Sequence, residues 1–260
     1  MLKEKKDNIL PDTDFLVTGD THGNFARLLE LQRTYFKNGQ KDVPLVILGD
    51  FGVNYYADCR ATRAKQYLSE NTSFEIFCVH GNHEQNPEYM ESCVEKEWNG
   101  GVVYYEPDFP KILYAKDGEV YRLGEKTVAV FGGAYSIDKD YRLAYGYNWF
   151  PDEQMSEDVR KRCEQNMERA HWKVDYVFSH TVPLSAEPTE FFMDGVDQSK
   201  VDKTTEIWLE KIKKKLDYKF WFAGHYHCNV KKPGNIEILF YEVKEVRCDG
   251  TAETILNIGQ

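Results

Sequence analysis

Seven side chains able to hold a metal ion stand at the carboxyl ends of short apolar runs in this 260-residue chain. They are Asp20 and His22 after DFLVTG, Asp50 after VPLVILG, Asn82 after FEIFCVHG, His180 after VDYVFS, and His225 and His227 after FWFAG. The set offers two carboxylates, one amide carbonyl and four imidazoles, with no thiolate. Donors of this mix suit divalent ions such as Mn²⁺, Fe²⁺ or Zn²⁺ and disfavour iron–sulfur clusters and Cu(I). Seven ligands exceed the need of one ion, so two ions sharing a bridging carboxylate are the simplest arrangement. Such a pair, about 3.5–4 Å apart, activates a bridging water and clamps the oxygens of an in-line displacement at phosphorus.

The elements that must position these residues are legible as well. Each of the five runs is rich in Val, Ile and Phe and apolar on both faces, the pattern of strands in a covered sheet. Glycine precedes the key residue in four of them, which suits a sharp turn. Helices are expected from Asn24, a capping residue, to about Phe36, and over 57–70, 157–172 and 203–216. The alternation argues for an α/β layered domain. KILYAKDGEVYRLGEKTVAVFGG reads as three strands joined by two hairpin turns, Lys-Asp-Gly and Gly-Glu-Lys. IEILFYEVKEVRCDG and TAETILNIG read as further strands. Together these imply two sheets packed face to face with helices outside, in a single domain over 1–260. The aromatic-rich insert at about 134–155 admits two readings. It is an Ω-like loop packed on its own tyrosines, or it rims the site with Arg142 as a bidentate anion clamp.

Composition narrows the classes. The formal net charge is −10, with 42 % hydrophobic and 14 % aromatic residues. Disordered, collagen-like and low-complexity chains are excluded, and long nucleic acids are disfavoured as partners. No apolar stretch reaches the roughly 18 residues of a membrane span, and MLKEKKDNILPD lacks an apolar leader segment. The six cysteines show no C-x-x-C spacing and are expected to be free thiols, which fits a cytoplasmic setting.

The blocks Gly19-Asp20-Thr21-His22-Gly23, Gly49-Asp50, Gly81-Asn82-His83-Glu84, Ser179-His180 and Gly224-His225-Tyr226-His227 resemble, in order, the motifs of the metallophosphoesterase (calcineurin-like phosphoesterase) superfamily. The resemblance implies a four-layer αββα sandwich of two mixed sheets flanked by helices. It implies that Asp20, His22 and His227 hold one ion, that Asp50 bridges, and that Asn82, His180 and His225 complete the second site. His83 would face the substrate and stabilise or protonate the leaving oxygen. The reaction implied is hydrolysis of a phosphate ester by a metal-bridging hydroxide. A phosphomonoesterase acting on a small phosphoester or phosphoprotein is the preferred reading. A phosphodiesterase acting on cyclic nucleotides or nucleic acid is the alternative, and a non-catalytic scaffold a more distant one.

The second block departs from the protein phosphatase branch. Val53 and Asn54 stand where that branch carries an acid orienting its histidine and a phosphate-binding arginine. His83 therefore lacks its expected partner, and Arg142 is the candidate replacement clamp. Gly-Asp-Phe-Gly, Gly-Gly-Ala-Tyr-Ser-Ile-Asp and Gly-His-Tyr-His are closer to bacterial and phage members. Other residues take plainer readings. His80 is a packed or supporting histidine and His171 closes a helix. Thr21 and Glu84 hydrogen-bond locally around the ligands. Lys211, Lys213, Lys214, Lys215 and Lys219 form a solvated face, and Phe220 to Tyr226 is core strand.

Overall fold

Strand β1 (Thr13–Thr18) accounts for runs that are apolar on both faces. Phe15 and Val17 pack into the core between two sheets, whereas Leu16 packs outward against Leu28 and Leu31 of α1 (Ala26–Thr34). In the computed structural model, which describes residues 13–38 and 43–258, the same alternation continues in β2 (Leu45–Ile47) and β3 (Ile76–Cys78). Val46 and Phe77 point inward, while Ile47 and Ile76 meet Leu68 of α2 (Cys59–Asn71). The segment MLKEKKDNILPD lies outside the described residues.

Strands β4 (Val94–Trp98), β5 (Gly101–Tyr105) and β6 (Ile112–Ala115) follow in the same sheet. The chain then crosses over to build a second sheet from β7 (Val120–Leu123), β8 (Lys126–Phe131), β9 (Tyr176–Ser179), β10 (Phe220–Ala223), β11 (Val230–Lys232) and β12 (Ile236–Ile238). It returns with β13 (Glu242–Arg247) and β14 (Ala252–Asn257). The eight-stranded sheet runs β14-β13-β1-β2-β3-β6-β5-β4, and the six-stranded sheet β11-β12-β10-β9-β8-β7. Both are mixed. Within them β1, β2 and β3 are parallel neighbours, as are β9 and β10, so their carboxyl ends lie side by side.

Helices α3 (Lys139–Tyr145), α4 (Glu157–Arg169) and α5 (Thr204–Lys215) fall in the second half of the chain. Val159, Cys163 and Met167 of α4, with Trp208, Leu209 and Ile212 of α5, cover Phe131, Val177 and Trp221 on the outer face of the six-stranded sheet. The expected four layers are therefore present. Each fully buried Val, Leu, Ile or Phe contributes roughly 1.5–3 kcal/mol, and such residues line both faces of both sheets. Among the described residues no helix is long and apolar enough to cross a membrane.

Helix ends differ slightly from the expected bounds. Asp58 accepts a hydrogen bond from Arg60 N, starting α2 two residues late, and Asn24 accepts one from Ala26 N ahead of α1. Helix α4 stops at Arg169 because His171 and Trp172 adopt φ of 55° and 52°. His171 N donates to Glu168 O and Trp172 N to Met167 O, a Schellman closure with histidine where glycine is usual.

Three strand expectations are corrected. Lys-Asp-Gly does not turn a hairpin: it carries the chain from β6 in one sheet to β7 in the other. Asp117 Oδ1 accepts from Gly132 N at 2.6 Å and Gly118 N donates to Val130 O, which ties this crossing to β8. The tail run IEILFYEVKEVR is likewise two strands in different sheets, parted at 239–241. Phe220 to Tyr226 is strand only as far as Ala223. An unforeseen hairpin joins β4 to β5 through Asn99 and Gly100, both with positive φ. Its outer strand VEKEW is an edge, where charged side chains discourage further pairing.

The crossing yields a stability prediction. Burial pushes the Asp117 carboxyl up to about 7, although the Gly132 amide draws it down. A raised folded-state pKa contributes stability below the ordinary carboxylate range and loses it as pH rises through about 7. The loss is roughly 1.4 kcal/mol per pH unit across that window. Asp117→Asn keeps the acceptor and removes the titration. It is expected to melt higher than wild type at pH 8, with the difference shrinking at pH 4.5; equal gaps at both pH values would contradict the assignment.

Candidate metal centre

The loops after β1, β2, β3, β9 and β10 meet where the carboxyl ends of the two sheets face one another. Close approach governs which residues these loops admit. At Gly49 (φ 99°) an added Cβ would overlap the His180 ring, and at Gly81 it would overlap the Asp50 carboxylate. His22, Asp50, His225 and His227 themselves adopt left-handed backbone, with φ of 47°, 46°, 70° and 51°. Such strain in non-glycine residues persists where surrounding contacts impose it, and it concentrates at functional sites.

Both carboxylates are pinned in the same manner. Asp20 Oδ1 accepts from His225 N at 3.0 Å, and Asp50 Oδ1 accepts from His83 N at 2.7 Å. The second oxygen of each faces the histidines. Asp20 Oδ2, buried and without a hydrogen bond, lies 3.4 Å from His227 Nε2 and 3.6 Å from His22 Nε2. Asp50 Oδ2 lies 3.6 Å from His180 Nε2 and 4.0 Å from His22 Nδ1, between the two groups. The His22 and His227 Nε2 atoms are 2.8 Å apart.

Around the other group the supporting hydrogen bonds set each donor's direction. His180 Nδ1 lies 2.7 Å from the Leu48 carbonyl, which can only accept, so the Nε2 lone pair faces inward. Asn82 Nδ2 donates to Ser136 Oγ, turning Asn82 Oδ1 toward His180 Nε2 (2.7 Å) and His225 Nδ1 (3.1 Å). All seven candidate ligands are thus brought together. The orphaned Asp20 oxygen and the facing imidazole nitrogens fit a cationic occupant.

Electrostatics agree. Burial pushes the Asp20 carboxyl up, but the neighbouring His227, His180 and His22 imidazoles outweigh it and hold the pKa well below the usual range. Asp50 is likewise lowered, with His180 and His83 prevailing over burial. Burial lowers His225 to about 3, so it is neutral with a lone pair available. Glu84, buried near Asp50, is pushed up to about 8 and accepts from Gly81 N and Phe51 N. Thr21 Oγ1 donates to Phe51 O. Both therefore hold the loops, as expected of them.

The insert reaches the site. Arg142 of α3 places Nη2 2.7 Å from His83 Nδ1, Nε 2.8 Å from Asp138 Oδ2, and Nη1 3.1 Å from Asn148 O. Arginine only donates, so His83 Nδ1 accepts and the neutral ring carries its proton on Nε2. Asp138 Oδ1 lies 3.7 Å from His83 Nε2. Burial, supported by the Arg142 charge, lowers the His83 pKa against the pull of Asp50. Asp138 and Ser136 supply contacts that the sequence did not assign, although both belong to its Gly-Gly-Ala-Tyr-Ser-Ile-Asp motif. Arg27 was missed outright. It is buried beneath the site and donates to the backbone oxygens of Asp20 and Phe240 and to Thr18 Oγ1. Its place in an amphipathic helix carried no signal.

The remaining histidines and lysines are peripheral. His80 is buried with neither ring nitrogen hydrogen-bonded, and burial lowers it to about 4. The lysines at 211, 214, 215 and 219 are exposed and Lys213 is half-buried.

Comparison with known proteins agrees with this geometry. The calcineurin-like phosphoesterase family profile matches residues 13–229. No curated protein sequence matches the chain. Among solved structures, TT1561 of Thermus thermophilus is similar at 14 % identity and a TM-score of 0.50, covering 93 % of this chain and 97 % of that one. The sulfate thiohydrolase SoxB of Thermus thermophilus, bound to glycerol, is similar at 11 % identity and a TM-score of 0.40, over 88 % of this chain and 41 % of that one. The first likeness bears on the fold. The family profile covers most of the chain and ends just beyond His227, and the candidate ligands it spans converge on one centre. The chain belongs to the calcineurin-like phosphoesterase family, whose members are dinuclear metal enzymes, and it is a metal-dependent phosphoric ester hydrolase.

Proposed function

We propose that the protein is a phosphomonoesterase. Asp20, His22 and His227 would hold one divalent ion, Asn82, His180 and His225 the other, and Asp50 both. The observation that carries this reading is the charge of the donor set. Its only carboxylates are Asp20 and Asp50, both buried and both held ionised by neighbouring imidazoles. Two dications against these two charges leave a formal +2, or +1 once a hydroxide nucleophile is counted, and either charge attracts a monoester dianion more strongly than a diester monoanion. The donor types favour Mn²⁺, Fe²⁺ or Zn²⁺. When bound, such ions supply Lewis acidity toward phosphoryl oxygens and a nucleophile from water at neutral pH.

The chain's own contribution is preorganisation. The His83 and His225 amides hold each carboxylate in one rotamer. Leu48 and Ser136 aim His180 and Asn82. His83, neutral with its proton on Nε2, donates a hydrogen bond to the leaving oxygen as charge develops there. Arg142 and Asp138 are its positioning residues, a role for Arg142 in place of a free phosphate clamp. The six free cysteines support a reducing, cytoplasmic setting.

The test compares p-nitrophenyl phosphate with bis(p-nitrophenyl) phosphate at equal Mn²⁺. The monoester is expected to show the higher kcat/KM, with activity lost to EDTA and restored by metal. A higher value for the diester would replace this reading with phosphodiesterase action.

A further inference from the structure

A groove of about 520 Å³ opens directly from the metal centre, sharing Asp50, Asn82, His83, His225 and His227 with it. That volume is in the range of sites for drug-sized ligands and exceeds what a phosphate group needs. Its remaining lining is largely apolar. Tyr135 and Ile137 come from the insert, and Phe191, Phe192, Met193 and Val196 from the segment between β9 and α5. Ile137, Phe191 and Met193 are exposed, the last at 67 %. Large apolar side chains left in water beside a polar reaction centre mark a ligand-binding surface.

The charges around the groove restrict its occupant further. Among the described residues lining it there is no lysine or arginine. Its acidic residues outside the metal centre are Asp138, Glu187 and Glu206. Glu187 is paired with Lys203 at 2.8 Å, Asp138 with Arg142, and Glu206 accepts from Thr181. A second phosphate or a polyanionic strand would meet these carboxylates, while the nearby Lys203 and Arg142 are already engaged by Glu187 and Asp138. Phe192 lies parallel to Tyr226 with ring centroids 6.1 Å apart, adding a flat apolar surface.

Resting on the phosphomonoesterase reading, we infer that the substrate is a monoester of an uncharged alcohol with a bulky apolar or aromatic body. The phosphate occupies the metal centre and the body lies in the groove. Alkyl esters test this because leaving-group reactivity stays nearly constant while apolar length changes. With Mn²⁺-loaded protein, KM for ethyl, butyl and hexyl phosphate is expected to fall about twofold per added methylene, since the chain is only partly withdrawn from water. In Phe191→Ser and Met193→Ser the dependence flattens; both positions are exposed, so folding is preserved.

Titration calorimetry with ethyl-, butyl- and hexylphosphonate gives the same comparison without turnover. Tighter binding with length, lost in the two variants, supports the groove. A Kd independent of length in wild type overturns it, whatever the activity. A protein that binds hexylphosphonate tightly but hydrolyses no monoester fails the phosphomonoesterase reading and keeps the groove assignment.

Discussion

Asp50→Asn is expected to lower kcat for p-nitrophenyl phosphate by at least roughly 10²–10³-fold, the scale set by loss of one preorganised electrostatic group. The variant should also stay folded. Asn has nearly the same shape, tolerates the φ of 46° at this position, and keeps an oxygen to accept from His83 N at 2.7 Å. What disappears is the charge between His180 Nε2 and His22 Nδ1, 3.6 Å and 4.0 Å from Asp50 Oδ2. Asp20, on one ion only, is then the sole carboxylate among the candidate ligands, so bound Mn²⁺ measured by elemental analysis should drop from two per chain. His180→Ala is expected to act similarly on turnover. Wild-type turnover and metal content in either variant would refute the two-metal arrangement.

His83→Ala is expected to have the second largest effect, and one that depends on the leaving group. If the neutral ring hydrogen-bonds the departing oxygen, its loss costs most where charge on that oxygen is least tolerable. Alkyl phosphates should lose roughly 10²–10³-fold in kcat, the measured scale for removing such a donor. p-Nitrophenyl phosphate, whose leaving group is already stable as an anion, should lose markedly less. A structural role would lower both equally. Arg142→Lys separates positioning from charge: it keeps a cation but cannot span His83 Nδ1, Asp138 and Asn148 at once. It should reproduce part of the His83→Ala pattern without loss of bound Mn²⁺.

Much of this is legible in the sequence. The ligand blocks were readable because each couples a strongly apolar run to a polar residue behind a glycine, a local signal on one stretch of chain. The outer helices were readable from their periodicity. The partner of His83 was not. Asp138 lies 55 residues from His83, in an insert whose sequence left self-packing and rimming the site as equal readings. The strand VEKEW was equally silent, since an edge strand exposed on both sides carries no apolar alternation.

The crossing from β6 to β7 shows the limit most clearly. Lys-Asp-Gly is locally a sound hairpin turn, and within that stretch of chain nothing distinguishes it from Gly-Glu-Lys, which does close one. The difference comes from Asp117 bonding to Gly132 and from the sheet each strand joins, and both are long-range. Residue types and their order therefore determined the metal chemistry, the family and the layered α/β plan, because those rest on local pattern and on which donors exist. Only the tertiary structure decided that the insert holds His83, that Arg142 is committed to it, and that an apolar groove adjoins the centre. Those features are distances between segments remote in sequence, set by how two sheets pack, and no local propensity encodes them.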